Sequence, residues 1–176
     1  MNLVDAILKE HSKTQRDKIV KYIGKDPKRF TELVKVFLEG PYRVTQRASW
    51  PLSTCVEKHP ELIKPHLKKI LRNVLKSGQH DAVKRNTLRL LQFISIPESL
   101  QGIATDICFQ LLSDSKEPVG IRAFAISILT DLAKQQPDLK NELIPIIEEQ
   151  MPYEKPAFVS RGRRALSELR KLKVIS

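Results

Sequence analysis

The amino-acid sequence predicts an all-α fold, an α-α superhelix of about four helical pairs. Three observations predict it. A short template recurs every 38 to 40 residues. Prolines fall in step with that template. Apolar residues follow helical spacing throughout, with no strand-like alternation.

The template is an opening residue, a small residue four positions later and a leucine four after that. Val44, Ala48 and Leu52 form one copy, and Val83, Thr87 and Leu91 a second. Ile121, Ala125 and Leu129 form a third, and Arg161, Ala165 and Leu169 a degenerate fourth, the openings lying 39, 38 and 40 residues apart. Spacing of i, i+4, i+8 places all three residues on one helical face, and a small middle residue lets a neighbouring helix approach closely.

Pro60-Glu61, Pro97-Glu98 and Pro137-Asp138 each follow a template helix. Proline is tolerated in a first helical turn, where its missing N–H needs no partner, and an acidic neighbour complements the helix N-terminus. Asp26-Pro27 repeats the signal, with Asp26 as the expected N-cap. Proline therefore marks the passage from a first helix, A, into a second, B.

The B helices carry i, i+3, i+4, i+7 stripes. Phe30, Leu33, Val34, Phe37 and Leu38 form the earliest, and Leu67, Ile70, Leu71, Val74 and Leu75 the next. Leu100, Ile103, Ala104, Ile107, Cys108 and Leu111 continue the pattern. Leu143, Ile146, Ile147, Gln150 and Met151 keep it with one polar intrusion. The A helix from Phe124 to Ala133 is apolar nearly all round, as an inner helix with neighbours on several sides must be. The ends are short and charged or Arg-rich, as terminal repeats with a solvated outer face require.

With Ile121-Arg122-x-x-Ala125-x-x-x-Leu129 as its clearest copy and with proline-led B helices, the chain resembles the HEAT/armadillo-like helical repeat family over roughly residues 16–172. The resemblance implies about four HEAT-like helical pairs stacked as a right-handed solenoid and used mainly as an interaction surface. Asp81 and Asp114 sit where the family often has an acidic residue before an A helix. The arginine of the motif is Thr45 in the first copy and Gly162 in the last, and the last copy is expected to be a single helix. The expected organisation is one repeat domain. It has an irregular N-terminal cap over 1–40, repeats at about 41–78, 79–115 and 116–154, and a C-terminal capping helix over 156–176.

The chain has 176 residues, 41% of them hydrophobic and 29% charged, enough for a sizeable core. No apolar run reaches transmembrane length, and Asp5, Lys9 and Glu10 leave the N-terminus without a signal-peptide core. Cys55 and Cys108 fit neither a zinc site nor a disulfide framework and are expected to be reduced core residues of a cytoplasmic protein. His11, His59, His66 and His80 show no metal-ligand spacing and are expected to be solvated polar residues, His59 and His80 in loops, and no cofactor is expected. No nucleophile elbow, Walker loop or dinucleotide fingerprint occurs, and the adjacent Glu148 and Glu149 diverge by about 100° on a helix, so they form no acid/base pair. HEAT-like DNA glycosylases of the alkylation-repair type share the architecture and a basic surface. No motif here selects their catalytic residues, and Trp50, just before Pro51, is expected to pack in the core or between repeats. The expectation is a non-enzymatic protein.

The net charge is +11 and is unevenly distributed: +11 over residues 1–93, −6 over 94–154 and +6 over 155–176. On the B helix around residue 70, Lys64, Lys68, Arg72 and Lys76 recur every four residues with Lys69 beside them. Like charges at that spacing repel, so helix stability does not explain them. Phe109 lies opposite the apolar stripe of the next B helix, flanked by Gln101, Thr105 and Gln110. It is either covered by an adjacent helix or an aromatic anchor for a partner. Asp138, Glu142, Glu148 and Glu149 face outward on the last B helix. The expected partner-binding residues are therefore Lys64, Lys68, Lys69, Arg72, Lys76, Phe109, Glu142 and Glu149, grading from basic to acidic. Such a gradient suits a protein or peptide better than a uniformly charged duplex. Arg43, Arg47, Lys84, Arg85 and Arg89, with Arg161, Arg163 and Arg164, form the alternative, a polyanion surface for nucleic acid. No membrane partner is expected, and the protein is expected to be a monomer or a weak oligomer.

Overall fold

The structure, a computed structural model, describes residues 1–173. Ten α-helices and three short 3-10 segments make up the described residues, among which there is no strand. The chain divides into two compact units, Met1–Ser95 and Ile96–Ser176. The dividing point lies between an A helix and the B helix that follows it.

Unit 1 holds α1 (Leu3–Lys9), α2 (Lys13–Ile23), α3 (Pro27–Glu39), α4 (Tyr42–Lys58), α5 (Leu67–Val74) and α6 (Asp81–Leu91). Local chemistry sets their starts. Asn2 Oδ1 accepts from the Val4 and Asp5 amides, Ser12 Oγ from Gln15, and Asp26 Oδ1 from Lys28 and Arg29, each satisfying first-turn donors. Pro27 follows as the first residue of α3. Gly24 ends α2 with φ +53°, a conformation few side chains tolerate.

The A helices α2, α4 and α6 pack side by side, with α3 and α5 against α4 and α6. The template residues Val44, Ala48, Leu52, Val83, Thr87 and Leu91 are all buried between them. A polar ladder crosses from α4 to α6. Asn86 Nδ2 donates to Ser49 Oγ at 3.0 Å, and Ser53 Oγ donates to Asn86 Oδ1 at 3.2 Å. Arg89 Nη1 then donates to Ser53 Oγ at 3.2 Å while Nη2 meets Glu57 at 2.6 Å. Because the rungs fall one helical turn apart, a one-residue slip of α6 on α4 would break all of them.

Unit 2 holds α7 (Glu98–Ser113), α8 (Val119–Ala133), α9 (Lys140–Gln150) and α10 (Pro156–Leu169). The apolar helix α8 is covered by α7, α9 and α10, as its composition requires. Arg122 on α8 is 3% exposed and still fully partnered. It meets Glu154 at 2.5 Å, donates to Gln150 Oε1 at 2.6 Å and lies 5.0 Å over the Phe158 ring. Gln150 in turn donates to the Leu112 carbonyl at 3.3 Å, which accounts for the polar residue in the α9 stripe. The last template copy is a single helix. A side chain at its Gly162 would begin 2.9 Å from Met151 Sδ and 3.0 Å from Ile147 Cγ2, so the motif arginine would force those side chains to shift. Positions 174–176 of the expected capping helix lie outside the described residues.

Three expectations are corrected in detail. Pro97 is the N-cap of α7 and not a first-turn residue. His80, read as a solvated loop residue, caps α6, its Nδ1 accepting from the Ala82 amide at 2.9 Å. Gln101, placed outward by helical angle, is buried. It donates to the Ile96 carbonyl and to Gln135 and accepts from Gln136 at 2.7 Å. A helical wheel predicts which way a side chain points but not whether another turn of chain covers it.

Candidate functional site

The B-helix face of unit 1 begins with a helix that is interrupted. Residues Pro60–His66 form a 3-10 segment and only Leu67–Val74 is α-helical. Pro65 has no N–H to offer a continuous α-helix, so the α geometry starts just beyond it. Leu62, Ile63, Leu67, Ile70, Leu71 and Val74 are buried and anchor the segment. Lys68, Lys69 and Arg72 therefore project from its opposite side, all exposed. Lys64 is exposed on the 3-10 segment, where 3.0 residues per turn shift it out of line with Lys68. Lys76 is exposed just past the C-cap Leu75. Gln79 Nε2 holds the chain there by donating to the Asn73 carbonyl at 2.9 Å. None of these five cations has a carboxylate within ion-pair distance among the described residues.

α3 joins this face. Thr31 donates its hydroxyl proton to the Pro27 carbonyl at 2.8 Å, so at 3.1 Å it accepts from Nε2–H of His66. The His66 ring also lies 5.9 Å from Phe30. Burial, and secondarily the Lys69 charge, hold the His66 pKa below its usual value. Lys35, one turn beyond Thr31 on α3, is exposed and makes no ion pair. Sequence reasoning omitted Lys35. The signal was available: the angular argument used for α5, applied to the Phe30–Leu38 stripe, turns Lys35 outward as well.

The arginines proposed for a polyanion surface separate into two kinds. Arg47 donates to the Leu8 carbonyl at 3.0 Å, Arg89 belongs to the α4–α6 ladder, and Arg161 donates to Ser127 Oγ across α10 and α8. Lys84 is half-buried and partnered. Arg43 and Arg85 in unit 1, and Arg163 and Arg164 in unit 2, are exposed and make no ion pair.

In unit 2, Phe109 is half-buried beside Thr105 on α7, between its two sequence-based alternatives. Glu142 and Glu149 are exposed on α9 without cationic partners, whereas Glu148 is paired with Arg170. Cys55 and Cys108 are free and buried, and burial pushes both thiols up to about 12. No cluster of three or more His, Cys, Asp or Glu able to hold a metal occurs among the described residues, and no helix there is long and apolar enough to cross a membrane.

A family model described as a HEAT repeat domain matches residues 3–169. The chain belongs to the HEAT repeat family. The match extends into α1, short of the described start by only two residues, and so includes the segment read from sequence as an irregular cap. For a HEAT repeat domain, the template residues are the packing positions of the A helices, and the side chains left over for function are those on exposed helix faces and turns. No curated protein and no solved structure matches the chain.

Proposed function

We propose that this HEAT repeat domain is a non-enzymatic scaffold that docks an acidic protein segment on the B-helix face of unit 1. Lys64, Lys68, Lys69, Arg72 and Lys76 supply the contacts, with Lys35 beside them. The observation that carries this reading is that the six cations are exposed on neighbouring helices and none of them makes an ion pair among the described residues. Repulsion within such a row costs a few tenths of a kcal/mol per pair, which a bound acidic segment relieves. Complementary charge also speeds encounter and fixes orientation. On unit 2, Glu142 and Glu149 on α9 offer contacts of opposite sign for a basic part of a partner, and the half-buried Phe109 on α7 offers an aromatic contact. A cytoplasmic location accords with two reduced, buried thiols.

The test uses the full chain and a fluorescent Glu/Asp-rich peptide. Reversing charge with Lys68→Glu, Arg72→Glu and Lys76→Glu should weaken binding by more than about tenfold, since each charged contact is worth on the order of 1 kcal/mol. Unchanged binding would remove this surface from the reading.

A second reading is favoured by one further observation: the whole net charge of +11 resides in residues 1–95, where 20 Lys/Arg face 9 Asp/Glu. That excess suits nucleic acid, with Arg43 and Arg85 adding to the B-helix cations. Duplex binding would show a steep fall in affinity with salt, with a slope near the number of phosphates neutralised. Absence of a mobility shift at low salt would eliminate it.

A further inference from the structure

Away from the B-helix face, the turn between α1 and α2 meets α4 around a small pocket. Glu10, His11, Ser12, Arg16, Arg47 and Trp50 line it. Trp50 forms its wall: the Arg16 guanidinium lies 4.7 Å from the ring centroid, and the His11 ring approaches edge-on at 5.5 Å. Arg47 reaches across from α4 to the Leu8 carbonyl at the end of α1, using Nη1 alone. The space is about 220 Å³ including its open mouth, and its closed part is no roomier than one water molecule. A ligand must therefore sit at the mouth with a single atom directed inward.

The charges around this pocket are equal in number but not all paired. Arg16 is neutralised by Asp17 at 2.6 Å. Arg47 is half-buried and has no carboxylate within ion-pair distance among the described residues. Glu10 lines the pocket but is exposed and pairs with nothing. A partly desolvated guanidinium without a counter-charge is costly, and its planar fork suits an oxyanion. We infer that the pocket mouth binds a small phosphate-type oxyanion, held by the free N–H groups of Arg47 together with Arg16 and the His11 imidazole. His11 gives a reporter for this. Burial, and then the Arg47 charge, hold its pKa below the usual value. An anion between the Arg47 guanidinium and the His11 ring would oppose the Arg47 charge and raise that pKa.

The experiment follows the His11 imidazole proton signals by NMR while the 176-residue chain is titrated with pH, in inorganic phosphate and in chloride at matched ionic strength. Phosphate should raise the His11 pKa saturably, to an extent that chloride does not match. Arg47→Gln should weaken phosphate binding about tenfold. Arg16→Gln, which leaves the Arg47 tie to α1 intact, should weaken it less and covers the case in which Arg47→Gln fails to fold. Lys68→Glu with Arg72→Glu should leave it unchanged, separating this site from the B-helix face. O-phosphoserine as a second probe distinguishes the source: tighter binding than free phosphate assigns the pocket to a phosphomonoester, equal binding to the free ion. An equal His11 shift in chloride, or a phosphate shift that survives in both arginine variants, would overturn the inference.

Discussion

The two units are built from one repeat template and filled in opposite ways. Residues 1–95 hold 20 Lys/Arg and 9 Asp/Glu, whereas residues 96–176 hold 11 of each. The helix contacts differ in parallel. In unit 1, α4 and α6 are tied by the Ser49–Asn86–Ser53–Arg89–Glu57 ladder, a row of modest neutral and half-exposed bonds. In unit 2 the tie with the deepest burial is Arg122, held by Glu154 and Gln150, with Arg161–Ser127 and the Gln101–Gln135–Gln136 cluster as further polar contacts. Identical backbone periodicity thus leaves two things free: how neighbouring helices are held in register, and what sign of charge the outer surface carries. The second is where function can vary without disturbing the fold.

The strongest way to break this comparison is to remove the buried arginine of α8. Arg122→Ala should cost about 3 kcal/mol or more, because it strands Gln150 and a partly buried Glu154. The two cysteines, one buried in each unit, make the effect local and readable. With both thiols pushed up to about 12 by burial, neither should react with a thiol reagent until its surroundings open. Arg122→Ala should therefore speed labelling of Cys108 far more than of Cys55.

The converse change is smaller. Asn86→Ala removes one rung of a distributed ladder and should cost about 2 kcal/mol, read as faster labelling of Cys55. If the two variants accelerate both cysteines equally, the units do not open separately and the comparison fails.

A pH effect should be smaller again and confined to unit 1. The folded pKa of His66 is lowered from 6.5, so the unfolded chain binds the proton more readily. Stability is then complete above that value and declines as pH falls through it toward the lower folded pKa. Urea midpoints at mildly acidic pH should fall less in His66→Gln than in the parent protein. The smallest effect is expected from Lys68→Glu with Arg72→Glu. Both residues are exposed and unpaired, so stability should change by less than about 0.5 kcal/mol while binding of an acidic peptide collapses.

Much of the architecture was legible in the residues. Template positions such as Ala48 and Ala125 are buried where helices meet, Asp26 caps α3 before Pro27, and α8 is enclosed as its all-apolar faces demand. The surface was legible only in part. Lys68, Lys69 and Arg72 emerge as the stripe of α5 predicts, but Lys64 is turned aside by the 3-10 segment, and Gln101 is covered by the Gln135–Gln136 turn. Arg47, Arg89 and Arg161 look as available as Arg43 in the sequence, yet each is used inside the molecule.

The sequence by itself determined the helices, their caps and the faces they bury, because these depend on spacing and on neighbours within a turn or two. Only the tertiary structure decided which polar side chains are consumed as ties between helices, such as Arg122, Asn86 and Arg89, and which are left to meet a partner. The reason is distance: Arg89 and Glu57 are 32 positions apart and Arg47 and Leu8 are 39, and nothing within a helical turn records that they touch.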